Sequence, residues 1–353
     1  MLVVGCWLLV VFDYKHEQDY DYEYDYDKDR RGGRTMKYTR LGKRGPRVST
    51  VGFGAWAIGG MNWGKTDDEV SKRALHQALD QGVTFIDTAD VYGFGHSEEL
   101  IAEVIKERGK GEIVIATKAG NDFYFAEKKN DEGYGPIRQN YAKDYIIYAA
   151  EQSLKRLGLD ALDILQLHSG DIDKLEQDDP WEALALLKEQ GKILHAGWSV
   201  QSFKETAHAH ILDRHHELLD TIQVRYNLLE REAEKELFPK ALVYGTGVIV
   251  RIPLLFGFLT GKFTRESRFG EDDHRKFNLS PEKLDQYLKQ MDQIKPLYER
   301  YPGQSMAQVS LRFCLSHSGC HTVIPGAKTD QQVMDNCAAS DSGPIPKDVI
   351  PEI

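Results

Sequence analysis

An aspartate, a tyrosine, a lysine and a histidine stand at or just beyond the ends of short apolar runs in this sequence. Asp87 and Tyr92 lie in FIDTADVYG, Lys118 ends IVIATK, and His168 ends LDILQLH. Taken singly, each has an ordinary explanation as a turn former, a solvated cation or a packed ring. Taken together they make a proton-donating group. A tyrosine phenol, with an unperturbed pKa of about 10, is protonated at neutral pH but gives its proton up reluctantly. A neighbouring ammonium favours the phenolate and turns the phenol into a better general acid. A carboxylate beside the ammonium keeps it charged and in place, and an imidazole on the far side can orient a carbonyl or donate a second hydrogen bond. The chemistry that fits is protonation of a carbonyl oxygen, with Tyr92 as the acid and Asp87 holding the lysine.

Side chains so far apart in the chain meet only if a fold gathers the ends of consecutive strands. From residue 36 onward, apolar runs alternate with amphipathic stretches. MKYTRLGKRGPRVST reads as a short hairpin turning at Lys-Arg-Gly, after which strand candidates fall at 51–56, 84–88, 112–118, 162–168, 195–199, 221–225, 247–252 and 321–325. Helical patterns lie between them at 67–81, 97–108, 143–157, 181–190, 203–213, 231–243, 306–317 and 331–339, with an additional one at 281–300. The strands are short, β-branched and apolar, as expected where both faces are buried. Eight such units predict an α/β fold of the (β/α)8 TIM-barrel class, a single domain of about 250 residues plus insertions. An open doubly wound sheet would carry GxGxxG after its first strand, whereas GFGAW and GFGHS offer only GxG. Barrel chemistry sits at the carboxyl ends of the strands. Asp87, Lys118 and His168 end the second, third and fourth, Ser199 and Gln223 come from the fifth and sixth, and Tyr92 lies on the loop after the second.

The chain has 353 residues, 41% of them hydrophobic, and a formal net charge of −10. That length holds one large domain or two ordinary ones. The acidic balance argues against nucleic acid as the main partner, because phosphate binding wants a basic face. Cys6, Cys314, Cys320 and Cys337 form neither a CxxC pair nor a metal spacing, and read as reduced thiols of a cytoplasmic protein. HAHILDRHH gathers His208, His210, His215 and His216 without a carboxylate or cysteine at a metal-ligand spacing, so no metal site is expected. Residues 1–35 differ from the rest: the apolar run MLVVGCWLLVVF precedes an acidic, tyrosine-rich tract ending in arginines. The run falls short of the roughly 20 residues that span a bilayer, and it lacks the basic flank and cleavage site of a signal peptide. The stretch reads as a low-complexity, disordered or spurious leader, with a membrane anchor as the alternative. Residues 36–353 form the barrel domain, for which no membrane association is expected.

Four segments together resemble the aldo-keto reductase superfamily, over nearly the whole of residues 36–339. GVTFIDTADVYGFGHSEELI resembles its first signature, with Asp87 and Tyr92 at the catalytic positions. IVIATKAG and LDILQLHSGD place Lys118 and His168 where the family has its lysine and histidine, and TVIPGAKTDQQVMDN is similar to its coenzyme-binding signature. The resemblance implies hydride transfer to a small aldehyde or ketone from NADPH, bound extended across the barrel mouth, with NADH the weaker alternative. It implies Ser199 and Gln223 at the nicotinamide carboxamide, and Gly54 and Trp56 near the nicotinamide and the substrate. RIPLLFGFLTGKF, with Arg251, Leu254 and Gly261, would wrap the pyrophosphate. Gly326, Ala327 and Lys328 would surround the adenosine 2′-phosphate, with Gln332 and Asn336 near the adenine. Trp63, Tyr92, His168, the segment 121–138 and the tail would shape the substrate pocket.

Three positions depart from many relatives. Val200 follows Ser199 where asparagine is common, Arg251 stands where well-known relatives stack a tyrosine on the nicotinamide, and Gln332 replaces a frequent arginine. Lys328 is left as the principal cation for the phosphate. The charged segment 265–278 reads as a loop closing over the cofactor, with an exposed connection as the alternative. A regulatory barrel that binds the nucleotide and reports it to a partner protein is the rival reading. A metal-dependent hydrolase would need several His and Asp ligands on different strand ends, and the group here has one of each. The sequence names neither the substrate nor the oligomeric state.

Overall fold

A computed structural model describes residues 25–26, 36–60, 63–64, 66–125 and 137–351. The expected hairpin is formed by β2, Lys37–Arg40, and β3, Arg47–Ser49, paired antiparallel. A two-residue strand, β1 (Asp25–Tyr26), lies antiparallel to Tyr38 and Lys37, the one point at which the leader enters the described fold. The apolar run read as leader or anchor lies outside the described residues, among which no helix is long and apolar enough to cross a membrane. We propose that the barrel needs nothing upstream of Met36. A chain beginning there is expected to keep the kcat/KM of the full chain, and insoluble or inactive truncated protein would show that the leader is integral.

The strands that follow are β4 (Phe53–Gly54), β5 (Phe85–Asp87), β6 (Val114–Ala119), the short pair β7 (Asn121–Asp122) and β8 (Arg138–Gln139), β9 (Leu162–His168), β10 (Ile193–Ser199), β11 (Thr221–Arg225), β12 (Gly247–Arg251) and β13 (Thr322–Val323). Leaving β7 and β8 aside, they run parallel in sequence order as one eight-stranded sheet. Parallel bridges from Val51 to Val323 and from Gly54 to Gly326 join its two edges. The result is the (β/α)8 barrel that the alternating pattern predicted. Gly54 is needed for that closure, since a Cβ there would lie 2.7 Å from the carbonyl oxygen of Ile324.

Alternation along each strand decides what fills the ring and what faces the helices. Leu41 and Val48 of the hairpin plug one end and pack with Phe85, Val114, Ala116, Ile164, Ile249 and Ile324 inside the barrel. Ile86, Ile115, Leu165, Leu167, Ile222 and Val224 point the other way, into the layer shared with the helices. On four of these strands the inward position turns polar two residues further along. Asp87 follows Phe85, Lys118 follows Ala116, Gln166 and His168 follow Ile164, and Arg251 follows Ile249. An apolar plug below and a polar mouth above are thus written on the same parity of the same strands.

Most expected helices form within two residues of their predicted bounds, among them Asp68–Asp80, His96–Arg108 and Lys143–Leu157. Two do not. The pattern at 203–213 yields only Ala209–His215, because Phe203 sits at φ 62°, a left-handed conformation that ends a right-handed turn. The pattern at 231–243 splits into a 3-10 turn, Glu232–Glu234, and the helix Leu237–Tyr244. Pro239 fits the restart, since it falls in the first turn of the second piece, where its missing N–H costs no helical bond. The histidines are absorbed structurally: His215 stacks on Trp181 and His216 on Tyr244.

Candidate active site

The inward polar residues converge on one ammonium. Lys118, 1% exposed, places Nζ 2.7 Å from Asp87 Oδ2, 2.7 Å from the carbonyl oxygen of Thr88 and 3.3 Å from the Tyr92 hydroxyl. Strand register brings the first pair together, because Asp87 sits beside Ala116, one inward step before Lys118. Tyr92 reaches the site from a loop held by bonds from its own amide to the Ala89 carbonyl and from Ser97 N–H to the Tyr92 carbonyl. Asp87 Oδ1 accepts from the side-chain amides of Gln223 at 2.7 Å and Gln166 at 3.3 Å. The Tyr92 and His168 rings meet edge to face, centroids 5.9 Å apart, and Trp56 stacks over Tyr92 at 6.0 Å.

The ammonium lowers the phenol's pKa as expected, but burial outweighs it. Burial raises the Tyr92 pKa, Lys118 pulls it back only in part, and the net direction is upward. The phenol therefore stays protonated across the neutral range, as a proton donor must. For Lys118, burial disfavours the charge, but Asp87 and Tyr92 outweigh it and the net shift is upward. Burial, Lys118 and Arg251 all push His168 down, well below its ordinary value, so the imidazole is neutral.

These residues open into a cavity of about 460 Å³, within the usual range for a small-molecule or cofactor site. It runs from Asp87, Tyr92 and His168, past Ser199, Gln223 and Arg251, to Gly326, Ala327, Lys328, Gln332 and Asn336. Gly54, Trp56, Trp63 and Leu254 also line it. Gly261 does not: it makes a left-handed turn at φ 76°, and a Cβ there would lie 2.4 Å from Met306 Sδ. Gln223 spends its amide nitrogen on Asp87 and Gln166, which leaves its carbonyl oxygen for a ligand. Of the segment 121–138 read as part of the substrate pocket, 126–136 lie outside the described residues.

The cavity suits an extended anionic nucleotide. Arg251 donates from Nη2 to the Val200 carbonyl at 2.6 Å, but neither its buried Nε nor the indole nitrogen of Trp63 has a partner among the described residues. Burial and then Arg225 lower the Arg251 pKa, with Glu205 opposing them in part. Beyond it, Ile252, Leu255, Phe256 and Gly257 all hold positive φ, a cluster of backbone strain of the kind found at ligand clamps. Lys262, Arg275 and Lys328 extend the positive lining. Across the mouth, Trp63 forms an antiparallel bridge with Asp273, Gly64 N–H donates to the Asp272 carbonyl at 3.3 Å, and Lys328 Nζ donates to the Trp63 carbonyl at 2.7 Å. The charged segment therefore lies over the groove, pinned to the loop after β4.

Sequence reading did not single out Gln166, Asn121, Arg225 or Arg275, although Asn121 and Arg275 fall in the segments 121–138 and 265–278 that it assigned to the substrate pocket and the cofactor cover. Gln166 and Arg225 had a signal, being inward by parity on strands already assigned. Arg275, which stacks over Trp63 and Phe269 while paired to Asp273, had none, because its place depends on how a long loop folds back.

Residues 50–353 match the family profile described as the Aldo/keto reductase family. The chain is 35% identical over 307 residues to aldo-keto reductase YhdN of Bacillus subtilis, covering 84% of this chain and 87% of that one. It is 32% identical to a probable voltage-gated potassium channel subunit beta of Arabidopsis thaliana, over 88% of this chain and 93% of that one. It is 30% identical to the NADH-specific methylglyoxal reductase of Escherichia coli, over 86% and 93%. The solved glycerol dehydrogenase AKR11B4 from Gluconobacter oxydans superposes with a TM-score of 0.75 at 30% identity, covering 88% of this chain and 92% of that one. This chain belongs to the aldo/keto reductase family and is an oxidoreductase.

Proposed function

We propose that this protein reduces small aldehydes or ketones to alcohols with NADPH, using Tyr92 as the general acid. The observation that carries the reading is Lys118 Nζ, which bonds Asp87 and the Tyr92 hydroxyl together at the wall of the cavity. NADPH, when bound, supplies the hydride that the carbonyl carbon receives. The protein's part is to place the carbonyl oxygen between the Tyr92 hydroxyl and His168, and to deliver the phenolic proton as negative charge grows on that oxygen. Lys118 stabilises the phenolate left behind, and Asp87 keeps Lys118 charged. Ser199 and the free oxygen of Gln223 would hold the carboxamide, the strained 251–263 segment the pyrophosphate, and Gln332 and Asn336 the adenine. Turnover of 4-nitrobenzaldehyde with NADPH tests the proposal. Tight nucleotide binding without turnover would favour the second reading, a regulatory subunit, which the likeness to a potassium channel subunit beta brings forward.

The preference for NADPH rests chiefly on Lys328, because a 2′-phosphate needs a cation or oriented N–H groups to offset its desolvation. Lys328 lies just before the helix Asp330–Asp341, whose amino-terminal end adds a favourable dipole. Gln332 contributes no charge there; its Oε1 accepts from the Lys328 amide at 2.8 Å. A lysine–phosphate contact in a half-buried site contributes about 1.5–3 kcal/mol, or roughly 10- to 150-fold in affinity. Lacking an arginine at 332, the preference is expected toward the lower end. In Lys328→Ala, NADPH affinity is expected to drop while NADH affinity barely moves, and salt should weaken NADPH binding to wild type. Equal effects on both nucleotides would refute the role of Lys328.

A further inference from the structure

We propose that Asn121 is a positioning residue that fixes the tautomer of His168, keeping the imidazole proton on Nε2, where it is offered to the substrate's carbonyl oxygen beside the Tyr92 hydroxyl. The inference rests on the reductase reading above and adds to it the group that decides what the histidine can donate. Asn121 Nδ2 lies 3.0 Å from His168 Nδ1. In this orientation of the side chain the amide nitrogen faces the ring, and because it can only donate, Nδ1 accepts. A neutral imidazole has one proton, which is then on Nε2, the ring nitrogen left for the cavity that His168 lines. With the proton on Nδ1 instead, Nε2 would turn a lone pair toward the lone pairs of a carbonyl oxygen. Attraction would become repulsion.

The placement of Asn121 is over-determined. It follows Gly120, whose φ of 130° and lack of a Cβ let the chain turn against the Tyr141 ring, which a Cβ would approach to 2.8 Å. β7 pairs Asn121 with Gln139, and the Asn121 carbonyl accepts from the Tyr145 hydroxyl at 2.7 Å and from Phe123 N–H at 3.1 Å. One short segment thus carries Lys118 behind the phenol and, three residues on, Asn121 behind the imidazole. The charged and titratable groups around His168 are Lys118 and Arg251, which disfavour imidazolium, with the Tyr92 ring edge-on and Asp87 beyond Lys118. Among the described residues no carboxylate bonds to the ring, so an amide partner leaves it neutral.

The test reads the ring nitrogens of the full chain labelled with 15N-histidine, with His168→Gln used to assign the signals. Wild type is expected to show His168 neutral and protonated on Nε2 from about pH 6 to 8. In Asn121→Asp the carboxylate can only accept, so the proton is expected to move to Nδ1 and the imidazole to titrate at higher pH. At about pH 8 that variant is expected to reduce aldehydes roughly 10- to 100-fold more slowly than wild type, the loss that one hydrogen bond to the reacting oxygen supplies. Its rate relative to wild type is expected to recover as pH falls and imidazolium regains an Nε2 proton. Asn121→Ala, which can neither donate nor accept, is expected to lose activity without that pH dependence. A wild-type His168 protonated on Nδ1 overturns the proposal, as does Asn121→Asp with tautomer and kcat unchanged. The spectrum is read without turnover, so an Nε2-protonated His168 in a protein that reduces no carbonyl supports this inference while sinking the reductase reading.

Discussion

Tyr92→Phe is expected to lower kcat for carbonyl reduction by about 10²–10⁴-fold, the contribution typical of a positioned general acid, with NADPH binding and folding nearly intact. The split follows from the geometry. The hydroxyl's described bond is the 3.3 Å contact with Lys118, so its removal costs about 1 kcal/mol of stability. The ring stays, and with it the stacking on Trp56 and the edge contact with His168. What disappears is the only proton that burial holds on a donor facing the cavity beside the ammonium. Burial, Lys118 and Arg251 keep His168 neutral, and the N–H of a neutral imidazole is a far weaker acid than a phenol, so it cannot replace Tyr92. A Tyr92→Phe protein that still reduces aldehydes within a few-fold of wild type would mean that another acid is used and that the site is wrongly assigned.

Much of this site could be read from residue order because a parallel barrel converts position along a strand into position in space. An inward residue near the carboxyl end of any strand reaches the mouth, so Asp87, Lys118, His168, Ser199 and Gln223 needed only correct strand bounds. Residues that arrive from loops were legible only where a signature marked them, as for Tyr92 and Lys328. Asn121 and Arg275 illustrate the remainder. Their roles depend on a two-residue strand pair and on a long loop folding back over Trp63, neither of which leaves periodicity to count. The direction of the Tyr92 pKa was also out of reach, because it turns on how burial and Lys118 balance, and a sequence shows charges but not depth.

Lys118→Met is expected to slow carbonyl reduction by about 10²–10³-fold, the loss typical when one stabilising donor leaves a transition state, and also to destabilise the fold. Methionine fills a similar volume but supplies no charge, so Asp87, 2% exposed, is left with only the amides of Gln223 and Gln166. Removing one partner of a buried ion pair costs about 3–5 kcal/mol, because the remaining charge is stranded. The kinetic loss has a separate origin: the phenol has lost the one cation that offsets its burial from 3.3 Å away. Adding Asp87→Asn to Lys118→Met separates the two. A neutral amide in place of the stranded carboxylate is expected to restore most of the thermal stability, since replacing both members of a buried pair is often close to neutral. It cannot restore kcat, because no ammonium returns to the phenol. Recovery of both stability and rate in the double variant would show that Lys118 acts on catalysis only by holding the fold.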